Sequence, residues 1–266
     1  MKLSIITINY NNVFGLKKTI DSVQTQTCRD FEWIVIDGGS TDGSKELIKK
    51  NSEYFAYWCS EPDRGIYNAM NKGVAHATAE YVLFLNSGDN FYNNKVVEES
   101  LPHLKDADFI VGDSISYHRD GSVGPWNAPR YFTAYMIVFY SINHQSTFIR
   151  TELLRKRPYR EDLKIVADWE QQLFELVFHD ASYKYLPVLV SEFHEDGVSQ
   201  NEIEQHQRER KAVTHAYFSS RMLQAIRGEN ELKELVNHLE YGTTIYKTTL
   251  IGVKMVGKIC RMLHLS

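Results

Sequence analysis

The chain has 266 residues, 43% hydrophobic and 24% charged, which suffices for one large α/β core with an appendage and excludes disorder over most of its length. Lys and Arg number 30 against 34 Asp and Glu, a net charge of -4, so no global basic field exists for a nucleic acid backbone and no nucleic acid partner is expected. The three cysteines, Cys28, Cys59 and Cys260, form neither a CxxC pair nor a metal-ligand cluster, which suits a reduced cytoplasmic protein.

The opening MKLSIITINYNN lacks the order of a signal peptide, and its apolar residues 3–8 are too few to span a membrane; they read as a buried strand. Leu16, Ile20 and Val23, spaced by four and three, mark one face of the helix that follows. Residues 31–36 (FEWIVI), apolar but for Glu32, are too continuously apolar for a half-solvated sheet and read as a strand covered on both faces. GGSTDG (38–43) turns into a short helix over 44–50, with Ser40 or Asp42 available to cap it. A weaker strand at 55–59 precedes a helix over 66–77, which carries Ile66, Ala69, Met70, Gly73, Val74 and Ala77 on one face. A fourth strand at 81–85 ends at Asn86-Ser87-Gly88-Asp89, followed by a helix at 96–104 and a strand at 108–111. This alternation predicts right-handed crossovers and a mainly parallel sheet flanked by helices.

Between 112 and 146 the regularity lapses. Gly121, Gly124, Pro125 and Pro129 interrupt a stretch rich in Tyr, Trp and Phe, which reads either as cover for a binding cleft or as a surface loop packed by its own aromatics. Helices at 151–156 and 169–178, strands at 183–186 and 188–193, and a mainly helical run from 201 complete the chain.

Ligands of an open parallel sheet bind beyond the carboxyl ends of its strands. Three polar segments lie there: Thr7-Ile8-Asn9, Asp37-Gly38-Gly39-Ser40 and Asn86-Ser87-Gly88-Asp89. Asp37 is placed to accept hydrogen bonds from a base or ribose, or to cap its own turn. Arg64 is a donor for base or phosphate, or a solvated surface side chain. No GxGxxG or GxxxxGK[ST] loop is present, which disfavours dinucleotide and triphosphate sites. Asp89 offers a hard carboxylate and Asn86 an uncharged oxygen, so a divalent cation, Mg2+ or Mn2+, would lean on phosphate oxygens and water, with His194 as a further ligand. Asp168, at the start of a helix, is either a cap or a base facing an acceptor hydroxyl.

Taken together, SIITINYNN (4–12), IDGGSTDGS (36–44), SEPDRGIYNAMNKG (60–73), FLNSGD (84–89), NHQSTFIR (143–150) and ADWE (167–170) resemble, in order and spacing, a family 2 glycosyltransferase of the GT-A fold, of the bacterial cell-surface polysaccharide type. The resemblance covers residues 3–199 and implies a nucleotide-diphospho-sugar transferase acting with inversion through one direct displacement. It implies a nucleotide-sugar-binding half over 1–112, an acceptor-binding half over 113–199, and a helical extension over 200–266. Thr7, Asn9, Asp37, Arg64, Asn86, Ser87 and Asp89 then border the nucleotide sugar, a UDP-sugar by expectation. Asp89 takes the last acidic position of the metal motif and Asn86 a position often held by Asp. Asp168 matches the catalytic base, His144 and Gln145 fall near donor sugar or acceptor, and Trp169 and Glu170 shape the acceptor site.

Over 241–265, Lys247, Lys254, Lys258 and Arg261 form a basic stripe opposite Ile245, Val253, Val256, Ile259, Cys260 and Leu263, with no Asp or Glu. Such a helix fits the cytoplasmic face of an anionic inner membrane, or packs on the catalytic domain or a second subunit. The membrane position suits a lipid-linked glycan acceptor in lipopolysaccharide, capsule or exopolysaccharide synthesis. Two rival readings use the same sheet: a nucleotidyltransferase acting on sugar phosphates, which lacks its Gly-rich, Arg-containing loop here, and a noncatalytic nucleotide-sugar-binding protein.

Overall fold

The computed structural model describes residues 1–194, 202–228 and 231. In chain order its elements begin with β1 (Leu3–Asn9), α1 (Val13–Gln24), β2 (Phe31–Asp37), α2 (Ser44–Lys50), β3 (Tyr57–Ser60), α3 (Ile66–His76) and β4 (Tyr81–Phe84). There follow β5 (Asn90–Phe91), α4 (Val96–Ser100), β6 (Phe109–Tyr117), β7 (Val123–Trp126), α5 (Ala134–Phe139) and β8 (Thr147–Arg150). The remainder comprises α6 (Thr151–Lys156), α7 (Ala167–Phe178), β9 (Tyr183–His194) and α8 (Ile203–Tyr217). The chain divides into two compact units, Met1–Thr214 and His215–Ser266. Of the second, residues 220–228 are helical, and the amphipathic helix read at 241–265 lies outside the described residues.

The sheet runs β3-β2-β1-β4-β8-β6-β9-β5, with β7 on β6. Its first four strands are parallel, as the crossover pattern requires, and β1 is buried at every residue between β2 and β4. Antiparallel pairs enter through β8, β7 and β5, while β6 and β9 are parallel. Leu16, Ile20 and Val23 of α1 pack with Leu3, Ile5, Trp33 and Val35 in the main core, each such side chain contributing roughly 1.5–3 kcal/mol by its burial. Asn12 starts α1 by accepting the Gly15 N–H at 3.0 Å. The helix α3 lies so close on the sheet that a Cβ at Gly73 would come 2.5 Å from Ile6 Cγ2. A glycine is therefore required by space at that point, and the backbone of α3 sets the depth of the whole layer.

Three local expectations change or narrow. Ser40 does not cap α2; Asp42 does so from one residue outside the N-cap Gly43 (φ 99°), accepting the Ser44 N–H at 3.1 Å. Ser40 turns inward to Asp37, and Asp42 accepts from Ser44 and from the Val13 N–H, tying α2 to the start of α1. The irregular stretch from 112 is partly regular: β6 runs on to Tyr117, β7 folds back on it, and Thr133 caps α5. The pairing that organises it comes from β9, more than sixty residues away, so no local pattern announces it. Finally, the two strands read at 183–186 and 188–193 are one bulged strand. Gly112 pairs with Leu186 but Asp113 pairs with Leu189, and Pro187, with no N–H to offer, falls in the slipped stretch.

Candidate active site

Asn9, Asp37 and Ser40 cluster at the carboxyl ends of β1 and β2. Asp37 is fully enclosed, and its oxygens already accept from Asn9 Nδ2 at 2.8 Å, Ser40 N at 3.0 Å, Ser40 Oγ at 2.5 Å and Ser60 Oγ at 2.7 Å. Its carboxylate therefore shapes the loop that a ligand would meet, with both oxygens already bonded and enclosed. Asn9 Oδ1, by contrast, is buried with no partner among the described residues. Thr7 lies beneath the cluster, accepting from Trp33 Nε1 and donating to Leu85 O, so it ties β1 to β4 instead of facing the cleft. Asn12 Nδ2 reaches Ser87 O at 3.1 Å and joins the β1 loop to the 86–89 loop. Arg64 is mostly exposed and pairs with Glu161 Oε2 at 2.5 Å, which keeps its guanidinium on the surface here.

The chemically decisive convergence lies beyond β4. His144, in a single 3-10 turn (His144–Ser146), stands between the two acids singled out in the sequence. Its Nδ1 is 3.3 Å from Asp168 Oδ2, and its Nε2 is 3.9 Å from Asp89 Oδ2 and 3.1 Å from Asn86 Nδ2. Asp168 sits in the first turn of α7 but is not the helix cap, which falls at Val166. Its Oδ1 instead accepts from Tyr67 Oη at 2.8 Å, and the same hydroxyl lies 2.6 Å from Ile165 O. Burial opposes the Asp168 charge, yet the bonds from His144 and Tyr67 outweigh it and hold the carboxyl below its usual range. Burial likewise opposes the charged form of His144, and Asp168 and Asp89 together more than reverse that, raising its pKa. Tyr67, enclosed beside a carboxylate, is pushed well above the ordinary tyrosine range and stays a hydroxyl.

Among the described residues no three His, Cys, Asp or Glu side chains form a metal cage. The Asp89 carboxylate does stand beside Asn86, whose Oδ1 is buried without a partner among the described residues. That donor set fits a hard divalent cation completed by phosphate oxygens and water, and does not fit one held by protein alone. The backbone of His194 pairs with Tyr117 at the end of β9, and its side chain lies outside the described residues.

The surroundings of Asp168 are built differently from the sequence reading. Trp169 is buried, donates to Ile137 O at 2.6 Å and so props α5 from behind. Glu170, expected at the acceptor, is fully enclosed and pairs with Arg157 at 2.5 Å, a structural ion pair with no surface to offer. Gln145 is buried next to His144. Two neighbours on α8 escaped the sequence reading. Arg210 stacks 4.2 Å over Trp169 and donates to Val138 O, Tyr140 O and Ser141 Oγ, while Glu209 accepts the N–H groups of Lys164 and Ile165. Between them they brace both flanks of Asp168 from outside the motifs that carry the resemblance. Tyr67 also escaped notice, although a phenol inside an apolar helical face calls for a polar partner.

A parallel sheet with acids gathered beyond its strand ends, extended by antiparallel strands from β8 onward, defines the GT-A class of nucleotide-diphospho-sugar transferases. Comparison with known proteins agrees: the Glycosyl transferase family 2 profile matches residues 4–163, and the chain belongs to that family. It is 35% identical over 178 residues to an uncharacterized glycosyltransferase of Mycobacterium tuberculosis, a match covering 63% of this chain and 66%, just under two thirds, of that relative. A PGL/p-HBAD biosynthesis glycosyltransferase of Mycobacterium bovis is 29% identical over 210 residues, 75% of this chain and 79% of its own. Among solved structures, residues 1–349 of S. aureus TarS in complex with UDP-GlcNAc superpose with a TM-score of 0.60 at 19% identity, over 76% of this chain and 61% of TarS. The mannosyltransferase PcManGT of Pyrobaculum calidifontis, in complex with GDP-Man and Mn2+, gives 0.57 at 19% identity, over 79% and 61%. These two likenesses establish the fold.

Proposed function

We propose that the chain is an inverting glycosyltransferase. It moves a hexose or N-acetylhexosamine from a nucleotide diphosphate sugar, a UDP-sugar first of all, to a hydroxyl of a glycan or lipid-linked acceptor in bacterial lipopolysaccharide, capsule or exopolysaccharide synthesis. The observation that carries this reading is the approach of Asp89 and Asp168 to the two nitrogens of one imidazole, which supports a leaving-group role for the first acid and an acceptor role for the second. Asp168 is ionised at neutral pH, as a base must be before it takes a proton. The acceptor oxygen attacks the anomeric carbon while Asp168 removes its hydrogen. The bond from that carbon to the diphosphate breaks, and its electron pair leaves with the phosphate oxygen. One displacement inverts the configuration and needs no side-chain nucleophile.

Asp89 and Asn86 Oδ1 are the residues that would hold a divalent cation, Mg2+ or Mn2+, and such an ion would supply positive charge to the departing diphosphate. The Mn2+ named with PcManGT supports that ion, and the UDP-GlcNAc named with TarS supports the donor class. The catalytic domain is taken as 1–199 with 200–266 appended. The stripes over 241–265 support contact with the cytoplasmic face of the membrane or with a second copy, and no helix among the described residues is long and apolar enough to cross a membrane. The test is a panel of UDP-, GDP- and dTDP-sugars with and without Mn2+, read by thermal stabilisation and by nucleoside diphosphate release. One donor should both stabilise and turn over, and D89A should remove the Mn2+ dependence of its binding. Stabilisation by every donor with release from none, across a broad acceptor panel, would leave a binding protein in place of an enzyme.

A further inference from the structure

Two neighbouring residues of α8, Glu209 and Arg210, hold the two chain segments that deliver His144 and Asp168 to each other. Adjacent side chains on a helix point about 100° apart, so one turn can grip two different segments. Arg210 takes the C-terminal end of α5. Its Nη2 donates to Val138 O at 3.3 Å and Tyr140 O at 2.8 Å, its Nη1 donates to Ser141 Oγ at 2.7 Å, and its Cζ lies 4.2 Å from the centre of the Trp169 ring. The last carbonyls of a helix have no partner within it, and a planar guanidinium suits them because it offers several N–H groups while stacking on an aromatic face. His144 follows Ser141 by three residues.

Glu209 takes the other segment. It is buried, and its two oxygens accept the Lys164 N–H at 2.9 Å and the Ile165 N–H at 3.0 Å. Val166 gives α7 no side-chain cap, so the entry to that helix is fixed from a distant one. Ile165 is held at its other end too, since its carbonyl lies 2.6 Å from Tyr67 Oη, the hydroxyl that meets Asp168. Asp168 follows Ile165 by three residues. Trp169 links the two grips, bonding Ile137 O on α5 through Nε1 while its face carries Arg210. One turn of α8 thus bounds, from both sides, the 3.3 Å approach of His144 Nδ1 to Asp168 Oδ2.

We propose that Glu209 and Arg210 are positioning residues for the transfer: they fix the offset between segments 138–141 and 164–165, and through it the aim of Asp168 at the acceptor hydroxyl. The inference rests on Asp168 being the base of the proposed transfer. A base works only within hydrogen-bond reach of the proton it removes, and a remote change that displaces it by about 1 Å costs on the order of 100-fold. The part of the chain on which transfer depends then runs past residue 163, where the family profile ends, and takes in α8 as far as the compact unit Met1–Thr214 extends.

The test follows UDP or GDP release from UDP-GlcNAc and GDP-mannose with an acceptor panel, the affinity for UDP or GDP with Mn2+ by calorimetry, and the thermal midpoint. R210A and E209A should each lower kcat by roughly 10- to 100-fold, with nucleotide affinity close to wild type. R210K keeps the charge without the planar fork, and E209Q keeps one acceptor oxygen; both should fall between, and they stand in for an alanine variant that does not fold. Loosening either segment already spoils the same offset, so E209A combined with R210A should cost far less than the product of the single losses. A purely structural role predicts otherwise: the midpoint falls while kcat per folded molecule stays at the wild-type value, or nucleotide affinity falls in step with kcat, or the two losses multiply in full. Any of these overturns the proposal. Failure of the underlying reading shows separately, as a wild-type chain that releases no nucleotide or a D168N variant with undiminished turnover.

Discussion

The first four strands and the segment from β6 to α8 belong to one sheet, yet they treat buried polar groups in opposite ways. In the first region Asp37 and Glu32, both buried, are each met by four hydrogen bonds from neighbouring strands and loops. Two orphan acceptors there, Asn9 Oδ1 and Asn86 Oδ1, stand at strand ends where a ligand would arrive. In the second region Tyr159 Oη and both amide atoms of Gln171 and Gln172 are buried without partners among the described residues. A saturated scaffold that leaves acceptors open at its mouth is suited to hold a charged donor rigidly. A region with unsatisfied polar groups is suited to adjust, and on the proposed reading it is the wall that meets the acceptor.

The largest expected effect tests where the two regions meet. D168N should cut transfer by a factor on the order of 10²–10⁴, the usual contribution of a general base, while donor affinity stays near wild type. Titration calorimetry with the donor and Mn2+, alongside initial rates, separates the two quantities. A parallel loss of donor affinity would show that the acceptor wall also builds the donor site, and would erase the distinction.

Rigidity of the first region is tested at Gly73. An alanine there puts a methyl group 2.5 Å from Ile6 Cγ2, and a β-branched neighbour on a fully buried strand has little room to yield. We expect a loss of about 1–3 kcal/mol in urea unfolding, the usual cost of overpacking. At Gly124, on the β6–β7 hairpin, the nearest atom to an added Cβ is His118 Nε2 at 3.5 Å, an ordinary contact, so G124A should cost far less. Equal losses at both sites would mean that the second region is packed as tightly as the first.

Much of the first region was legible in the sequence because each element carries its own reason. FEWIVI is apolar except for Glu32 since β2 is covered on both faces, and Leu16, Ile20 and Val23 are spaced as one helical face must be. Asp89 and Asp168 could be named from motifs, and the structure brings both to His144. What stayed hidden depends on distant partners. Nothing near Gly112 tells that β9 will extend β6, and nothing near Glu209 or Arg210 tells that they brace residues 138–141 and 164–165. Arg64 and Glu170 looked like site residues by neighbourhood, but their charges are taken by Glu161 and Arg157. Sequence position locates a side chain on an element; the pairing of charges decides where it points.

Glu32 sharpens the contrast through pH. It is buried under the β1–β2 pair and accepts from Ser4, from the Thr78 hydroxyl and from the N–H groups of Thr78 and Ala79. Burial raises its pKa, but the four donors outweigh that and hold it below the ordinary 4.5. A folded-state value lower than the unfolded one stabilises the fold fully above about 4.5, and this contribution is lost as pH falls through the folded value. E32Q exchanges one acceptor oxygen for an N–H2 facing donors, so it should cost about 1–3 kcal/mol at neutral pH and flatten the decline of stability on the acid side. Thermal midpoints of both proteins between pH 7 and pH 3 check the sign. An acid-side slope unchanged by the substitution would remove Glu32 as its source.

The smallest effect concerns the second region's own polar interior. Gln171 is fully buried on α7, three residues past Asp168, with neither amide atom bonded to a described residue. A buried amide without partners carries its desolvation penalty uncompensated, and a methionine of similar length removes that penalty while keeping the contacts. Q171M should therefore raise stability by up to about 1 kcal/mol and leave donor affinity unchanged. If stability falls instead, the amide has a partner in solution, α7 is as saturated as β1 and β2, and the acceptor wall must owe its adaptability to α5 and the residues around it.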